Sequence, residues 1–241
     1  MKILVLSEMT IFSEIKKICE DKNIAIDKKI VVKISPRANS CPPVETNFDA
    51  AVFQSKNAVI HSKDYWDNLK KYKPVIYCLG KYTSGLIKEN LDMNAIYPKD
   101  ESSSENLAKI IYTTISKTEN NRKNYIIFCG VDGRDVINQM LIENGQSVHV
   151  SKVYSREENK NIKITKKDLD PNNTNYVIVS SRFALKTFLN KTSRFIKDYK
   201  IIYVVPNKRV VYKMKDISKT IVVNNLNDAT HYVGAILNNE Q

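Results

Sequence analysis

The sequence has 241 residues, of which 42% are hydrophobic and 27% charged, and its formal net charge is +12 at pH 7. This length and apolar content suffice for the cores of two compact domains. The longest apolar runs span about five residues, whereas a transmembrane helix needs roughly 20. The first run ends at Leu6 and is followed at once by Ser7 and Glu8, unlike a signal peptide. We therefore expect a cytoplasmic protein that does not bind a membrane.

The start of the chain reads as strand, helix and strand. Residues 3–6 form an apolar run, and residues 11–22 carry apolar side chains at the spacing of one helix face. Residues 30–32 are predicted to form the next strand. The segment 37–43, which contains two prolines, is predicted to be a connector at the first domain boundary.

Three predicted strands follow, at residues 50–54, 75–79 and 94–97, each with a small polar loop and a helix behind it. The loops contain Ser55 and Asn57, then the sequence at 80–83, then serines at 102–104 with the S-x-x-E capping-box spacing from Ser102 to Glu105. Loops that follow parallel strands meet at one edge of a sheet, where helix N-termini present free N–H groups. Any one of these serines alone is better explained as a simple helix cap, but several such loops on one edge predict an anion-binding site.

The middle of the chain repeats the plan of strand, turn, helix and strand. Residues 125–129 are predicted to form a buried strand, a turn starts at Gly130, and the next helix ends at Gly145. A further strand passes through Val150 and Val153, between which the apolar alternation slips by one residue. This arrangement predicts a parallel α/β fold.

The chain also contains an internal repeat. Residues 49–59 align with 175–185, and residues 74–78 align with 200–204, both at a separation of about 126 positions. A strand near 220–223 and a helix at 228–237 complete the second copy. The repeat predicts a duplicated α/β module. The alternative is the general similarity of α/β chains to one another.

Familiar catalytic motifs are missing from the sequence. Residues 130–134 match neither the dinucleotide-binding fingerprint nor a phosphate-binding Walker loop. No Ser-His-Asp or Cys-His set is present, the four cysteines lack CxxC spacing, and the three histidines stand apart. We expect no metal and no cofactor, and chemistry that depends on positioning and backbone dipoles.

The positive charge favours an anionic ligand without identifying one. The lysines are scattered along the chain, and no arginine-rich block or aromatic-basic interleaving typical of single-strand nucleic-acid binding is present. We therefore do not expect nucleic acid to be the partner unless a site indicates it.

The loop sequences, taken in order, resemble those of the uroporphyrinogen-III synthase family over nearly the whole chain. The matching segments are residues 53–59, 80–83, 103–107, 130–134, 153–154 and 179–185. The resemblance implies two doubly wound parallel-sheet α/β domains joined by a two-stranded linker. The first would combine residues 1–30 with 158–241, the second would span 38–147, and the linker strands would be 31–37 and 148–157.

The resemblance also implies a function. Enzymes of this family are lyases that close the linear tetrapyrrole hydroxymethylbilane, a polycarboxylate, to uroporphyrinogen III with loss of water and inversion of ring D. They use no cofactor, and a monomer is the expected state. The alternative is a non-catalytic two-domain protein that binds anionic ligands such as nucleic acid, which would be retained on DNA in a salt-sensitive manner.

Site residues follow from the resemblance position by position. Tyr154 takes the place of the family's active-site tyrosine, whose phenol would donate to the departing hydroxyl; the alternative is a tyrosine packed against the linker. The expected substrate-binding residues are Ser55, Asn57, Thr83, Ser103, Ser104, Gly130, Arg134 and Ser181. A second threonine of the family is replaced here by Lys208 or Arg209, either of which can bind a carboxylate.

Overall fold

A computed structural model describes residues 1–9, 11–37, 46–117, 122–212, 219–223 and 228–240. The contacts between residues divide the chain into two compact units. The first unit comprises residues 1–33 and 157–241, and the second comprises residues 34–156. Beyond Arg37, the predicted connector lies outside the described residues.

The described residues form eleven strands and eight helices. The strands are β1 (Lys2–Val5), β2 (Ala25–Lys28), β3 (Val32–Pro36), β4 (Ala50–Phe53), β5 (Val75–Cys78), β6 (Ala95–Ile96), β7 (Asn124–Gly130), β8 (Ser147–Glu158), β9 (Asn175–Ile178), β10 (Ile201–Val205) and β11 (Thr220–Val222). The helices are α1 (Phe12–Asp21), α2 (Lys56–Ile60), α3 (Trp66–Tyr72), α4 (Lys81–Leu91), α5 (Ser104–Ile115), α6 (Val136–Glu143), α7 (Arg182–Thr192) and α8 (Ala229–Leu237).

Each unit contains one sheet. The first has the strand order β11-β10-β9-β1-β2, and the second has β3-β8-β7-β4-β5-β6. Strands β1, β2, β9, β10 and β11 pair in parallel, as do β4 to β8. The order β6-β5-β4-β7-β8 in one sheet corresponds to β11-β10-β9-β1-β2 in the other. The predicted parallel α/β arrangement is therefore present, and the shared strand order agrees with a duplicated module.

Both faces of each sheet are covered, which explains the continuous apolar runs of the central strands. Every residue of β4 and of β9 is buried. In β7, Ile126 and Phe128 pack on one face with residues of α2 and α4, whereas Tyr125 and Ile127 pack on the other with residues of α5 and α6. This division determines which side chains can meet at the carboxyl edge of the sheet.

The prediction for the second strand of the chain was wrong. The strand that pairs with β1 is formed by residues 25–28. Of the predicted strand at 30–32, only Val32 belongs to a strand, which is β3. Strand β2 lies at the edge of its sheet, and only Ile26 among its four residues is partly shielded from solvent. Such a strand is held by backbone hydrogen bonds and leaves almost no apolar pattern in the sequence.

Two helix ends were predicted with different success. Gly145 follows α6 with a φ of 73°, as expected of a glycine at this position. The capping box from Ser102 to Glu105 is wrong by one residue, because Ser103 caps α5 by accepting a hydrogen bond from Asn106 N at 3.2 Å. Glu105 has a different partner, described below. Among the described residues, no helix combines the length and apolar character needed to cross a membrane.

Asp168 provides a pH-dependent contribution to the stability of the first unit. Its carboxylate accepts from Thr165 N at 2.7 Å and lies 3.1 Å from Lys29 Nζ. Burial raises the pKa of Asp168, but the hydrogen bonds from Thr165 and Lys29 outweigh it and hold the pKa below its usual value. A lowered carboxyl pKa stabilises the fold above the pKa of the unfolded chain and loses this effect as the pH falls.

We therefore expect Asp168→Asn to lower the free energy of unfolding at pH 7 by about 2 kcal/mol. The difference from wild type should persist down to about pH 5 and vanish as the pH falls through the folded pKa. Urea unfolding between pH 2.5 and 7 measures it, with the exposed Asp21→Asn as the matched control. A difference that did not change with pH would contradict this account.

Candidate functional site

A β-bulge near the end of β8 determines the position of Tyr154. Cys129 is opposite Lys152 and Gly130 is opposite Tyr154, so Val153 is the extra residue in the ladder. Both Val153 and Tyr154 are buried in the cluster that contains Phe53. In a regular strand consecutive side chains point to opposite faces. The bulge therefore turns Tyr154 onto the face that carries α2. The sequence predicted an irregularity between Val150 and Val153, and the structure has it at Val153.

Gly130 makes room for the tyrosine ring. A Cβ atom at this position would lie 2.7 Å from Tyr154 Cζ and 2.8 Å from its Cε2, distances that packed atoms do not adopt. Gly130 was expected to contact substrate through its loop. That expectation stays a prediction, and in the structure Gly130 lies against Tyr154.

The phenol oxygen of Tyr154 has two hydrogen-bond partners. Ser55 Oγ lies 3.0 Å away, and a guanidinium N–H of Arg156 donates to the oxygen at 2.9 Å. The ring of His61 lies 5.9 Å from the tyrosine ring, and burial, with the charge of Lys63, lowers the pKa of His61. Only 2% of Tyr154 is exposed, so the phenol is held in one orientation.

Ser55 joins this phenol to the start of α2. It follows β4 at the carboxyl edge of the sheet, and its hydroxyl oxygen accepts the N–H of Ala58 at 3.1 Å, as a helix cap does. Unlike Tyr154, Ser55 is partly exposed. Asn57 lies in the first turn of α2 and is also partly exposed.

Arg134 is paired with Glu105 in the structure. Its guanidinium makes a two-pronged contact with the carboxylate, in which Nη1 donates to Oε2 at 2.8 Å. This hydrogen-bonded carboxylate raises the pKa of Arg134. Both side chains are exposed by more than two fifths. The backbone oxygen of Arg134 accepts from Gln54 Nε2 at 3.1 Å, which connects this ion pair to the residue next to Ser55.

The other predicted residues of the second unit lie at the starts of two helices. Thr83 is buried in the first turn of α4, and Ser103 and Ser104 are buried at the start of α5. Gly80, at the N-terminus of α4, is so close to Ser102 that a Cβ would lie 2.5 Å from its Oγ. The two helix starts are therefore adjacent at the carboxyl edge of the second-unit sheet.

The remaining predicted residues belong to the first unit. Ser181 caps α7 by accepting from Ala184 N at 3.2 Å, as Ser55 does in α2 at the equivalent position of the repeat. Lys208 and Arg209 are exposed in a 3-10 turn after β10, where Asn207 Oδ1 accepts from Arg209 N at 3.0 Å.

The buried thiols do not add a nucleophile. Burial raises the pKa of Cys19 and of Cys78 to about 11 and also raises that of Cys129, so all three remain protonated near neutral pH. In the described part of the chain, no three His, Cys, Asp or Glu side chains are grouped as metal ligands would be. Around Tyr154, the second-unit site thus offers the phenol, the hydroxyl of Ser55 and the guanidinium group of Arg156.

The comparison with protein families identifies this arrangement. A model of the family described as uroporphyrinogen-III synthase HemD matches residues 31–222. The chain belongs to this family. Membership of the uroporphyrinogen-III synthase HemD family confirms the predicted family, function and enzyme class, a lyase of porphyrin biosynthesis, and does not favour the non-catalytic alternative.

Two solved structures of the family have the same fold. Uroporphyrinogen-III synthetase from Helicobacter pylori 26695 is 14% identical, with 98% of each chain covered and a TM-score of 0.66. A mutant uroporphyrinogen III synthase from the extremely thermophilic bacterium Thermus thermophilus is 8% identical, with 98% of this chain and 99% of that chain covered and a TM-score of 0.63. The predicted fold class is confirmed. No curated protein matches the chain in sequence.

The family resemblance did not point to every residue of the site. Arg156 was missed, although residues two apart in a strand share a face and its position after Tyr154 was a usable signal. Glu105 was noted only as a cap. His61 left no signal, because its contact depends on where the short helix α2 ends.

Proposed function

We propose that the chain converts hydroxymethylbilane to uroporphyrinogen III at the carboxyl edge of the second-unit sheet, with Tyr154 supplying the proton for the departing hydroxyl. The observation that carries this assignment is the fixed phenol oxygen between Ser55 and Arg156. A general acid must be held in place and must have a route for its proton. The bulge in β8 and the missing side chain of Gly130 provide the position.

The rest of the reaction depends on placing the two ends of a flexible polyanion. Holding reacting ends together removes much of the entropic barrier, and helix N-termini stabilise developing negative charge. The starts of α4 and α5, with Thr83, Ser103 and Ser104, are suited to the substrate's carboxylates, as are the cations Arg134, Lys208 and Arg209. The proposal includes Asn57 and Ser181 as further polar contacts.

We extend the proposal to a reaction without cofactor or metal, carried out in the cytoplasm by a monomer that does not bind nucleic acid. The net charge of +12 supports an anionic substrate. Size-exclusion chromatography with light scattering tests the monomer, and retention on a DNA column as salt is varied tests the exclusion of nucleic acid.

The pairing of Arg134 with Glu105 leads to a prediction about substrate affinity. If Arg134 binds a substrate carboxylate, Glu105 competes for the same guanidinium. We therefore expect Glu105→Gln to lower KM for hydroxymethylbilane about twofold to fivefold, since an exposed ion pair is worth up to about 1 kcal/mol. An exposed ion pair contributes little to stability, so the free energy of unfolding should change by less than about 1 kcal/mol.

Steady-state kinetics of Glu105→Gln and of Arg134→Gln measures this effect. Arg134→Gln should raise KM, and the double variant should behave like Arg134→Gln alone. A KM for Glu105→Gln equal to or above that of wild type would show that Arg134 serves the structure and not the substrate.

The isomer of the porphyrin product tests the proposed function. Purified protein is incubated with enzymatically generated hydroxymethylbilane, and the oxidised porphyrins are separated. We expect the type III isomer, because ring D is inverted only by the enzyme. Type I alone, which forms when the substrate closes spontaneously, would contradict the proposed function.

A further inference from the structure

The burial of Tyr154 raises the question of how its proton reaches the substrate. The residue is 2% exposed, and its oxygen is surrounded by Ser55, Arg156 and the backbone at Gly130. Ser55, in contrast, is partly exposed and lies at the carboxyl edge of the sheet. Of the two residues, Ser55 is the more accessible to a ligand.

The hydrogen bonds around these hydroxyl groups permit the phenol to donate to the serine. Arg156 has only donors, so the phenol oxygen accepts from it. Ser55 Oγ accepts the N–H of Ala58 and has a second lone pair free for the phenol hydrogen. When Tyr154 donates to Ser55, the serine hydrogen is left to point away from both partners.

We propose that Ser55 relays the proton of Tyr154 to the departing hydroxyl and that Arg156 stabilises the phenolate left behind. The inference rests on the proposed function and adds two roles to it. Ser55 becomes the group that touches the reacting oxygen. Arg156 acts through Tyr154 and is a positioning residue.

Over one turnover, the relay returns to Tyr154 the proton that it gave up. The C–O bond of the hydroxymethyl group breaks with its electron pair on oxygen, the Ser55 proton joins that oxygen, and water leaves. Ser55 takes the proton of Tyr154, while the substrate is left as a cation conjugated with its pyrrole. Restoration of the aromatic pyrrole after ring closure releases one proton, which returns through Ser55 to the phenolate.

Arg156 is suited to its role by charge and geometry. Its guanidinium carbon lies 5.1 Å from the centre of the tyrosine ring, and its N–H already points at the oxygen on which charge develops. A fixed cation beside a buried oxygen needs no rearrangement during the reaction. Because Arg156 faces the same phenol as Ser55, the loss of either should matter only while the phenol is present.

A double-mutant cycle between Arg156 and Tyr154 tests the first role. Under single-turnover conditions, Arg156→Met should lower the rate by about 10²-fold, as the removal of one donor to a developing oxyanion does. Arg156→Lys should recover part of the rate, since it keeps the charge but loses the planar fork. In the Tyr154→Phe background, Arg156→Met should cause no further loss.

The matched control is Arg122→Met, which removes the same charge at the amino end of β7, the opposite edge of the sheet. It should retain the wild-type rate. Losses from Arg156→Met and Tyr154→Phe that multiply, or an effect of Arg156→Met confined to KM, would place Arg156 on a substrate carboxylate and overturn its proposed role. Formation of type III product by the wild-type protein would still support the proposed function, so the two failures can be told apart.

Ser55→Gly tests the relay itself. Glycine is accepted at a helix cap at little cost, so this variant removes the hydroxyl while keeping α2. We expect its single-turnover rate to fall as far as that of Tyr154→Phe, and Ser55→Thr, which keeps the hydroxyl, to remain close to wild type. A Ser55→Gly variant with the wild-type rate would show that Tyr154 donates directly.

Discussion

Replacement of Tyr154 by phenylalanine should lower the turnover of hydroxymethylbilane by about 10²-fold to 10⁴-fold, the usual contribution of a positioned general acid. The ring stays in place because it packs against Gly130 and His61, and neither contact involves the oxygen alone. KM should change little, since the buried phenol offers almost no surface to the substrate.

The fold of the Tyr154→Phe variant should remain intact. The hydroxyl of Ser55 keeps its hydrogen bond from Ala58, and Arg156 is partly exposed, so the loss of the two hydrogen bonds of the phenol should cost about 2 kcal/mol. Circular dichroism and thermal unfolding check the fold, and isomer-resolved product analysis checks the turnover. Unchanged kinetics would mean that Tyr154 is a structural residue packed against its neighbours.

Gly130→Ala should damage both stability and activity. The new methyl group would stand 2.7 Å from the tyrosine ring, which is 2% exposed and belongs to the buried cluster that contains Phe53 and Phe128. Overpacking of this kind costs about 1–3 kcal/mol. The displaced phenol would also lose its alignment with Ser55, so turnover should fall by at least about tenfold, as misplaced catalytic groups do.

Gly85→Ala is the matched control for this substitution. Gly85 lies within α4, and a Cβ there would meet no atom within 4 Å. Because glycine is a poor helix former, we expect this variant to be more stable by about 0.5–1 kcal/mol, with unchanged activity. Urea unfolding and turnover of both variants measure the contrast. A Gly130→Ala variant as stable and active as Gly85→Ala would show that the tyrosine ring can move freely.

Much of the fold was predictable because central parallel strands are continuous apolar runs in the sequence. Strands β4, β5 and β7 were predicted from apolar runs, and the repeat placed β9 and β10 at the equivalent positions of the second copy. The edge strand β2 was missed for the opposite reason, since its backbone pairing with β1 requires no apolar side chains. A hydrophobic pattern in the sequence indicates burial, so it cannot identify a strand whose side chains are exposed, such as β2.

The sequence predicted which residues belong to the candidate site better than it predicted the contacts between them. Tyr154 and Ser55 were both selected from the family resemblance, and the structure brings their oxygens within 3.0 Å. Arg134 was expected either to bind a substrate carboxylate or to lie on a helix surface, and its pairing with Glu105, 29 positions earlier in the chain, was not predicted. Such a pairing depends on how α5 and the loop after β7 approach one another, which no local pattern records.

The bulge in β8 has a consequence for sequence changes in this strand. From Ser147 onward, side chains alternate between the two sides of the sheet, and the additional residue reverses that alternation just before the phenol. The number of residues between Ser147 and Tyr154 therefore decides which side receives the acid, independently of their identity. Insertions or deletions of one residue in this interval should abolish catalysis at positions where substitutions are tolerated.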